Sequence, residues 1–475
     1  MKKHYNKIFL GLSILTSISS CNKFLDVQPE DKLLETQIYS TPKKAYTALN
    51  GLYMVLGDKD GALYGETLTL KVPDILAQRY NIYGNSMHTS YPFANYTYAD
   101  AAVSGTMGAI WAAAYRTIFG ANTFLTNLEA YPGVLTPQMD SICRGEAIAM
   151  RAMLHFDMLR LFGPRYNYDD SVALSIPYYT QPNVQINPLL PANQVMDSIL
   201  TDLNNAEGLL SQDPVITQGV MYNTNTSDFM QNRNYRFNYF AVKALQARVN
   251  MYRGNKPAAL AAAKVIIGNS AKFPWYVSSK NNFSAEMIMG VSAVNLTKSF
   301  QAVFITDLDD NNILAPSDIS LKAVYENSTI GTNDFRGVNS QSWQTGTHPY
   351  LTFCNYKSGF TGLYPNTIAL LKKSEMFYIA AECEPNLTQA IGYLDSVRVQ
   401  RNLPYSGTLT ATTLKTEIQK EYQKEFFGEG QLFYYYKRNN LTSIPSGTGA
   451  GNITILPANY VVPLPQSEIT NRLIN

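Results

Sequence analysis

Apolar residues recur at helical spacing through most of this chain, and several of these runs come in pairs divided by a turn. In residues 137–162 the apolar positions Ala147, Met150, Leu154, Met158 and Leu161 step by three and four, which is the period of one helix face. Gly163-Pro164 stops that run. Thr41-Pro42 opens another, with proline in the first helical position and Ala45, Ala48, Leu49, Leu52 and Tyr53 as its stripe. Further helical patterns cover residues 106–129, 193–210 and 414–427. Two hairpins look alike. One runs 239–253, turns at Gly254-Asn255 and continues 257–267. The other runs 367–383, turns near Glu384-Pro385-Asn386 and continues 388–401. Small residues (Ala241, Ala244 and Ala247; Ala380 and Ala381) stand where the helices of each pair approach, as in tetratricopeptide-type repeats.

The period fades over residues 269–366, which are rich in Asn, Ser, Thr, Gly and aromatics and read as long loops with short strands. Residues 79–105 and 212–233 read the same way. Segments of that length without regular structure are usually functional inside a compact domain. The chain has 33 Tyr, 21 Phe and 3 Trp, and many of the tyrosines fall in these polar stretches. Such surfaces suit flat ligand faces, sugars included; the alternative, true of most, is that Tyr fills helix interfaces. The expected architecture is mainly α, a helical scaffold carrying large aromatic loops.

The N-terminus has three zones. Lys2, Lys3 and Lys7 precede an uncharged apolar stretch, residues 8–18, and Ser19-Ser20 lead into Cys21. This is the layout of a secretory signal over residues 1–20, and its apolar part is shorter than the ~20 residues a spanning helix needs. Ile18-Ser19-Ser20-Cys21 resembles a lipobox, so Cys21 is expected to be acylated, with residues 21–40 as tether and entry segment. The alternatives are a plain secretory signal or an ordinary N-terminal helix. The chain is 45% hydrophobic and 16% charged, with a net charge of +2, which argues against a nucleic-acid partner. Cys143, Cys354 and Cys383 remain, an odd number with no CxxC, and are expected to be buried thiols. The four histidines are scattered without metal-ligand spacing, and His155, on a helical apolar run, reads as a packed core residue.

Six segments in order resemble one family: residues 21–26 (CNKFLD); 145–152 (GEAIAMRA) through 159–163 (LRLFG); 244–249 (ALQARV); 374–382 (SEMFYIAAE); 421–431 (EYQKEFFGEGQ) with Tyr436-Lys437-Arg438; and 460–469 around Pro463-Leu464-Pro465. Together they resemble the SusD/RagB-type nutrient-binding outer-membrane lipoproteins of Bacteroidetes. Tyr422 and Gln423 depart from the family's frequent Arg. The resemblance implies a SusD-like α/α fold, with four tetratricopeptide-like helix pairs under irregular loops. It implies an N-terminal part of about 21–230 and a C-terminal part of about 231–475. It also implies a function without catalysis. Such a protein binds an oligosaccharide at the cell surface and delivers it to a SusC-like TonB-dependent transporter, held to the outer membrane by its lipid. A RagB-like peptide binder is the alternative, and a surface glycosidase a more distant one.

Sugar binding asks for an aromatic platform beside planar polar groups. Asp74, Arg79, Tyr80 and Asn81 supply polar groups and an aromatic together; Tyr83, Tyr91, Phe93, Trp275, Tyr276, Trp343 and Tyr350 are candidates for the platform. The alternative is that they pack the loop base. Asp307, Asp309, Asn311, Asn312 and Asp318 follow a spacing close to an EF-hand loop, so Asp307, Asp309, Asn311 and Asp318 are candidate Ca2+ ligands; the alternative is a hydrated polar turn, and no other cofactor is expected. Glu417, Glu421, Glu425 and Glu429 stand at i,i+4 spacing and read as a solvated or scaffold face rather than an acid/base pair. Arg151, Arg160, Arg248 and Arg438 are expected to pair with acids such as Glu146, Glu375 or Glu382.

Overall fold

A computed structural model describes residues 35–58, 60–223, 228–275, 283–357, 364 and 366–474. Cys21 and the signal segment lie outside the described residues, and so does Tyr276.

Helix α1, Pro42–Gly57, starts where Thr41 accepts a hydrogen bond from Lys44 N, with Pro42 in the first turn. Helix α2, Ala101–Ala130, begins earlier than its period suggested, because the Asp100 carboxylate caps it at Ala102 N and Val103 N. Helix α3 is Pro137–Phe162 and α4 is Ala192–Leu209. Helices α5, Tyr239–Arg253, and α6, Lys256–Gly268, form the first expected hairpin. Helices α7, Lys373–Cys383, and α8, Leu387–Gln400, form the second. Helix α9, Ala411–Glu425, and α10, Leu432–Asn439, follow.

The helices lie side by side in one run. α1 packs on α2, α2 on α3, α3 on α4, α4 on α5, α5 on α6, α6 on α7 and α7 on α8; α9 closes over α7 and α8 and meets α10. Flanked on both sides, α3 is buried around almost its whole circumference from Gly145 to Phe162. His155 is fully buried there, as its place in the apolar run suggested.

The second hairpin is shorter at its start than expected. Thr367–Lys372 forms strand β2, paired antiparallel with β1, Met287–Ser292, and the chain turns helical only at Lys373. A short apolar run such as Thr367-Ile368-Ala369-Leu370-Leu371 fits a buried strand as well as a helix, and here a distant strand supplies the bonds. Strand β1 falls inside the stretch read as loops.

Many charged side chains inside the scaffold are paired. Arg151 forks onto Asp202 at 2.8 and 2.7 Å, Arg248 onto Glu375 at 2.7 and 2.6 Å, and Arg438 onto Glu382 at 2.8 and 2.9 Å. Arg160 pairs with Asp157, and Glu146 with Arg233. The acidic row of α9 is scaffold rather than solvated face. Glu421 and Glu425 are buried and hold Arg336, while Arg401 joins Glu425 to Glu286. Cys143, Cys354 and Cys383 are buried free thiols. Among the described residues no helix is long and apolar enough to cross a membrane.

Candidate functional site

Four loops converge on one side of the helical layer. Residues 81–90 lie against 305–317: Asn81 N and Thr89 N donate to Ala315 O and Asn311 O, both at 2.8 Å. His88 clamps the same pair of loops. Its Nε2 donates to Ile313 O at 3.1 Å, and its Nδ1 accepts from Ser90 N at 3.0 Å. Burial holds its pKa below the usual histidine value, so the ring is neutral and serves as one donor and one acceptor. The third loop, 445–449, is tied by Ser317 N to Gly447 O at 2.8 Å and by the Thr448 hydroxyl to Tyr83 O at 3.2 Å. The fourth, 345–350, is tied by the Thr347 hydroxyl to Thr306 O and by His348 Nε2 to Leu308 O at 2.8 Å.

The side chains left on this face are polar and aromatic. The Tyr350 hydroxyl donates to Asp310 at 2.5 Å, and the His348 ring stacks on Tyr350 with centroids 4.8 Å apart and 14° between planes. Burial and the Asp310 carboxylate push the Tyr350 phenol above its usual range, so it stays protonated as a donor. Asn85 donates to Asn311 at 3.3 Å. Tyr83 is 46% exposed beside them. An exposed tyrosine, a half-buried aromatic stack, two half-buried amides and an exposed carboxylate thus lie on the converging loops. That set can stack on a flat apolar ring face and hydrogen-bond the hydroxyls around its edge.

The loops bring together only part of the set read from sequence. Asn81, Tyr83 and Tyr350 are on the face, with Asp309 and Asn311 beside them. Tyr91 is half-buried at its base. Asp74, Tyr80, Phe93 and Trp343 are buried and support the loops from beneath. Tyr80 donates its hydroxyl to Leu70 O at 2.8 Å and meets Phe427 edge-on; Trp343 Nε1 donates to Arg336 O at 2.9 Å and packs on Phe353 and Phe427. Asp74 accepts from Gly428 N at 2.7 Å under the turn that follows α9, and burial pushes its carboxyl up to about 7. Arg79 is also buried, with its guanidinium over the Phe427 ring at 5.0 Å. Its Nε and Nη2 have no acceptor among the described residues, and it lines a small cavity with Gln423 and Tyr436. Trp275 sits on the helical layer instead, where the Lys373 ammonium lies 3.6 Å from its ring. These residues shared the composition of the face, but their apolar atoms found cover under it.

The calcium spacing does not assemble a ligand set. Asp309 accepts from Asn311 N and Asn312 Nδ2, so it holds its own turn, and Asp318 starts the helix Asp318–Val324 and pairs with Lys322. Asp307 is exposed. Among the described residues no group of three or more His, Cys, Asp or Glu side chains is placed to hold a metal ion. Asp310, His348 and Asn85 belong to the face and were not singled out by sequence. The available signal was His348 two residues from Tyr350, a spacing that puts two rings on one side of an extended segment.

Comparison with known proteins agrees with this architecture. A SusD-like family model, described as starch-binding and associating with the outer membrane, matches residues 23–227. A SusD superfamily protein from Bacteroides thetaiotaomicron aligns with a TM-score of 0.70 at 22% identity, over 90% of this chain and 98% of that one. Residues 23–227 thus resemble a SusD-like family in sequence, and the chain has the fold of SusD superfamily proteins. SusD-like protein P38 of Formosa agariphila is 24% identical to it over 273 residues, which is 56% of this chain and 46% of P38. The chain spans about half the length of the curated relatives it matches. A solved SusD-like protein named for laminarin binding aligns with a TM-score of 0.65 at 18% identity, over 90% of this chain and 97% of that one. The stretch matched by the family model contains α1 to α4 and the 81–90 loop; the other three loops of the face come from the rest of the chain.

Proposed function

We propose that this chain is a cell-surface glycan-binding lipoprotein, anchored in the outer membrane through acylated Cys21. It captures oligosaccharide on the four-loop face and passes it to a SusC-like TonB-dependent transporter. The observation that carries the reading is the gathering on these loops of exposed Tyr83 and the half-buried His348–Tyr350 stack with Asp310, Asn85 and Asn311. A sugar ring has an apolar face edged by hydroxyls, and this surface offers both complements. The laminarin-binding neighbour supports a glucan as the first ligand to try. No chemistry on the ligand is needed. The Asp309 carboxylate is occupied by its own turn and Asp310 holds Tyr350, so these acids orient the face rather than attack a glycosidic bond.

Calorimetry of the purified chain with laminarin- and starch-derived oligosaccharides tests this. Binding is expected, and Tyr350→Ala and Tyr83→Ala are each expected to weaken it roughly tenfold, the loss of one stacking surface with its hydrogen bond. Binding of peptides but of no glycan would overturn the glycan reading. Glycan affinity unchanged in both variants would move the site elsewhere. Transfer to a transporter is tested by co-purification with a large β-barrel from mildly solubilised outer membranes.

A further inference from the structure

A second cleft lies on the helical scaffold, away from the loops just described. Its floor is Tyr115 and Phe119 of α2, with Trp111 and Tyr179 behind, and its volume is about 190 Å3. The aromatic rings are set by contacts below. Trp111 and Tyr115 lie 4.5 Å apart, Tyr115 meets Tyr179 edge-on at 5.7 Å, and the Tyr115 hydroxyl donates to Pro177 O at 3.1 Å. Phe119 is left 43% exposed.

The opposite wall is the segment 178–187, and buried side chains hold its backbone in place. Asn122 donates to Tyr179 O at 3.1 Å and Arg151 to Thr180 O at 3.3 Å. At the far end, Asn187 N donates to the Tyr179 hydroxyl at 3.1 Å, and Arg472 donates to Asn187 O at 2.7 Å. With both ends fixed, Gln181, Asn183 and Gln185 line the cleft as exposed residues, and none of their amide groups hydrogen-bonds a described residue. Glu468 completes the lining; its Oε1 holds Arg472.

The geometry points to a second carbohydrate-binding site here, one that takes a single neutral sugar ring. An aromatic ledge facing three planar amides and a carboxylate is matched by a ring with one apolar face and hydroxyls at its edge. The volume is below the ~300–1,000 Å3 of pockets that enclose a drug-sized ligand, so one ring at a chain end fills it. The carboxylate of Glu468, with its neighbouring cation already tied to it, disfavours an acidic or sulfated sugar. A fixed loop lowers the ordering cost of a weak site. The site is independent of the four-loop face. A protein with both could hold one polysaccharide at two points and gain avidity without new contacts.

The test uses the whole chain labelled with 5-fluorotryptophan, whose resonance from Trp111 is assigned with Trp111→Phe. Titration with a neutral gluco-oligosaccharide is expected to shift the Trp111 resonance. The shift should persist in Tyr350→Ala, which disables the loop face. It should need at least roughly tenfold more ligand in Phe119→Ala and in Gln185→Ala, both at exposed positions that leave the fold intact. A silent Trp111 up to ligand saturation of the loop face, or throughout a titration in which the loop face also fails to bind, overturns the site. An equal response to glucuronate overturns its preference for neutral sugars. Loss of the shift in Tyr350→Ala alone would assign it to the loop face and also overturn the proposal.

Discussion

His155 shows how a polar group is kept in the middle of α3. Its Nδ1–H donates to Arg151 O at 2.9 Å, one turn earlier, and its Nε2 accepts from Tyr179 N at 3.1 Å. Both nitrogens are satisfied only in the neutral ring, and burial lowers its pKa to about 3. The ordinary histidine value is ~6.5, so as pH falls the unfolded chain takes the proton first. Stability from this residue is complete above ~6.5 and is lost progressively as pH falls toward about 3. Between pH 7 and 5, before most carboxylates titrate, the loss from His155 amounts to about 2 kcal/mol. Urea unfolding at the two pH values is therefore expected to show a smaller decline for His155→Gln than for the wild type, whatever the variant's stability at pH 7. Equal declines would mean that the ring is already protonated or titrates normally. The sequence showed this histidine as a core residue from its place in the apolar run. It did not show Tyr179 as the partner, because that bond uses a backbone N–H that any residue would offer.

At the scale of elements, the helices that were read well are those with local punctuation. Thr41-Pro42 and Gly163-Pro164 sit at ends the structure confirms, and Asn238 and Gly254 bracket α5. The misread pieces are those decided at a distance. Thr367–Lys372 becomes β2 because Met287–Ser292 is there to pair with it. The four-loop face was legible as loops and as aromatic-rich. Its assembly was not, since the loops meet through carbonyls of Ala315, Ile313, Asn311 and Gly447, which carry no side-chain signature. Gly254 is the case where a local signal can be weighed. It ends α5 at φ 85°, in the left-handed region, and its N–H satisfies the last carbonyls of the helix. A Cβ there would strain the backbone and would stand 3.2 Å from Asn167 Oδ1. Gly254→Ala is expected to cost about 1–2 kcal/mol in urea unfolding. A change within about 0.3 kcal/mol would show that the turn relaxes freely into another shape.

At the scale of the molecule, the question is whether the N-terminal part matched by the family model and the remainder fold separately. Their contacts argue that they do not. The Asp74 carboxylate receives Gly428 N, and the buried Lys437 ammonium caps α3 by donating to Arg160 O and Gly163 O, each at 2.7 Å. Arg248 on α5 holds Glu375 on α7 and so carries the layer onward. Further along, Arg401 joins Glu286 to Glu425, and Arg336 joins Glu425 to Asp334, all of them buried. Across the junction itself, the buried Arg233 guanidinium pairs with Glu146 and Asp213 of the first part, and separating the two parts would strand these charges, a loss of about 3–5 kcal/mol for each pair broken by removing one partner. A chain of this length ordinarily unfolds through intermediates, so cooperativity across the junction is a specific expectation. Trp111 reports on the first part, between α2 and α3, while Trp343 reports on the loop base of the second. With 5-fluorotryptophan labels at both, their urea midpoints are expected to coincide within about 0.2 M. If Trp343 instead lost its native signal well before Trp111, the Arg233 pairs would not be coupling the two parts. The face, three of whose four loops come from that part, would then be able to open while α1 to α4 stayed folded.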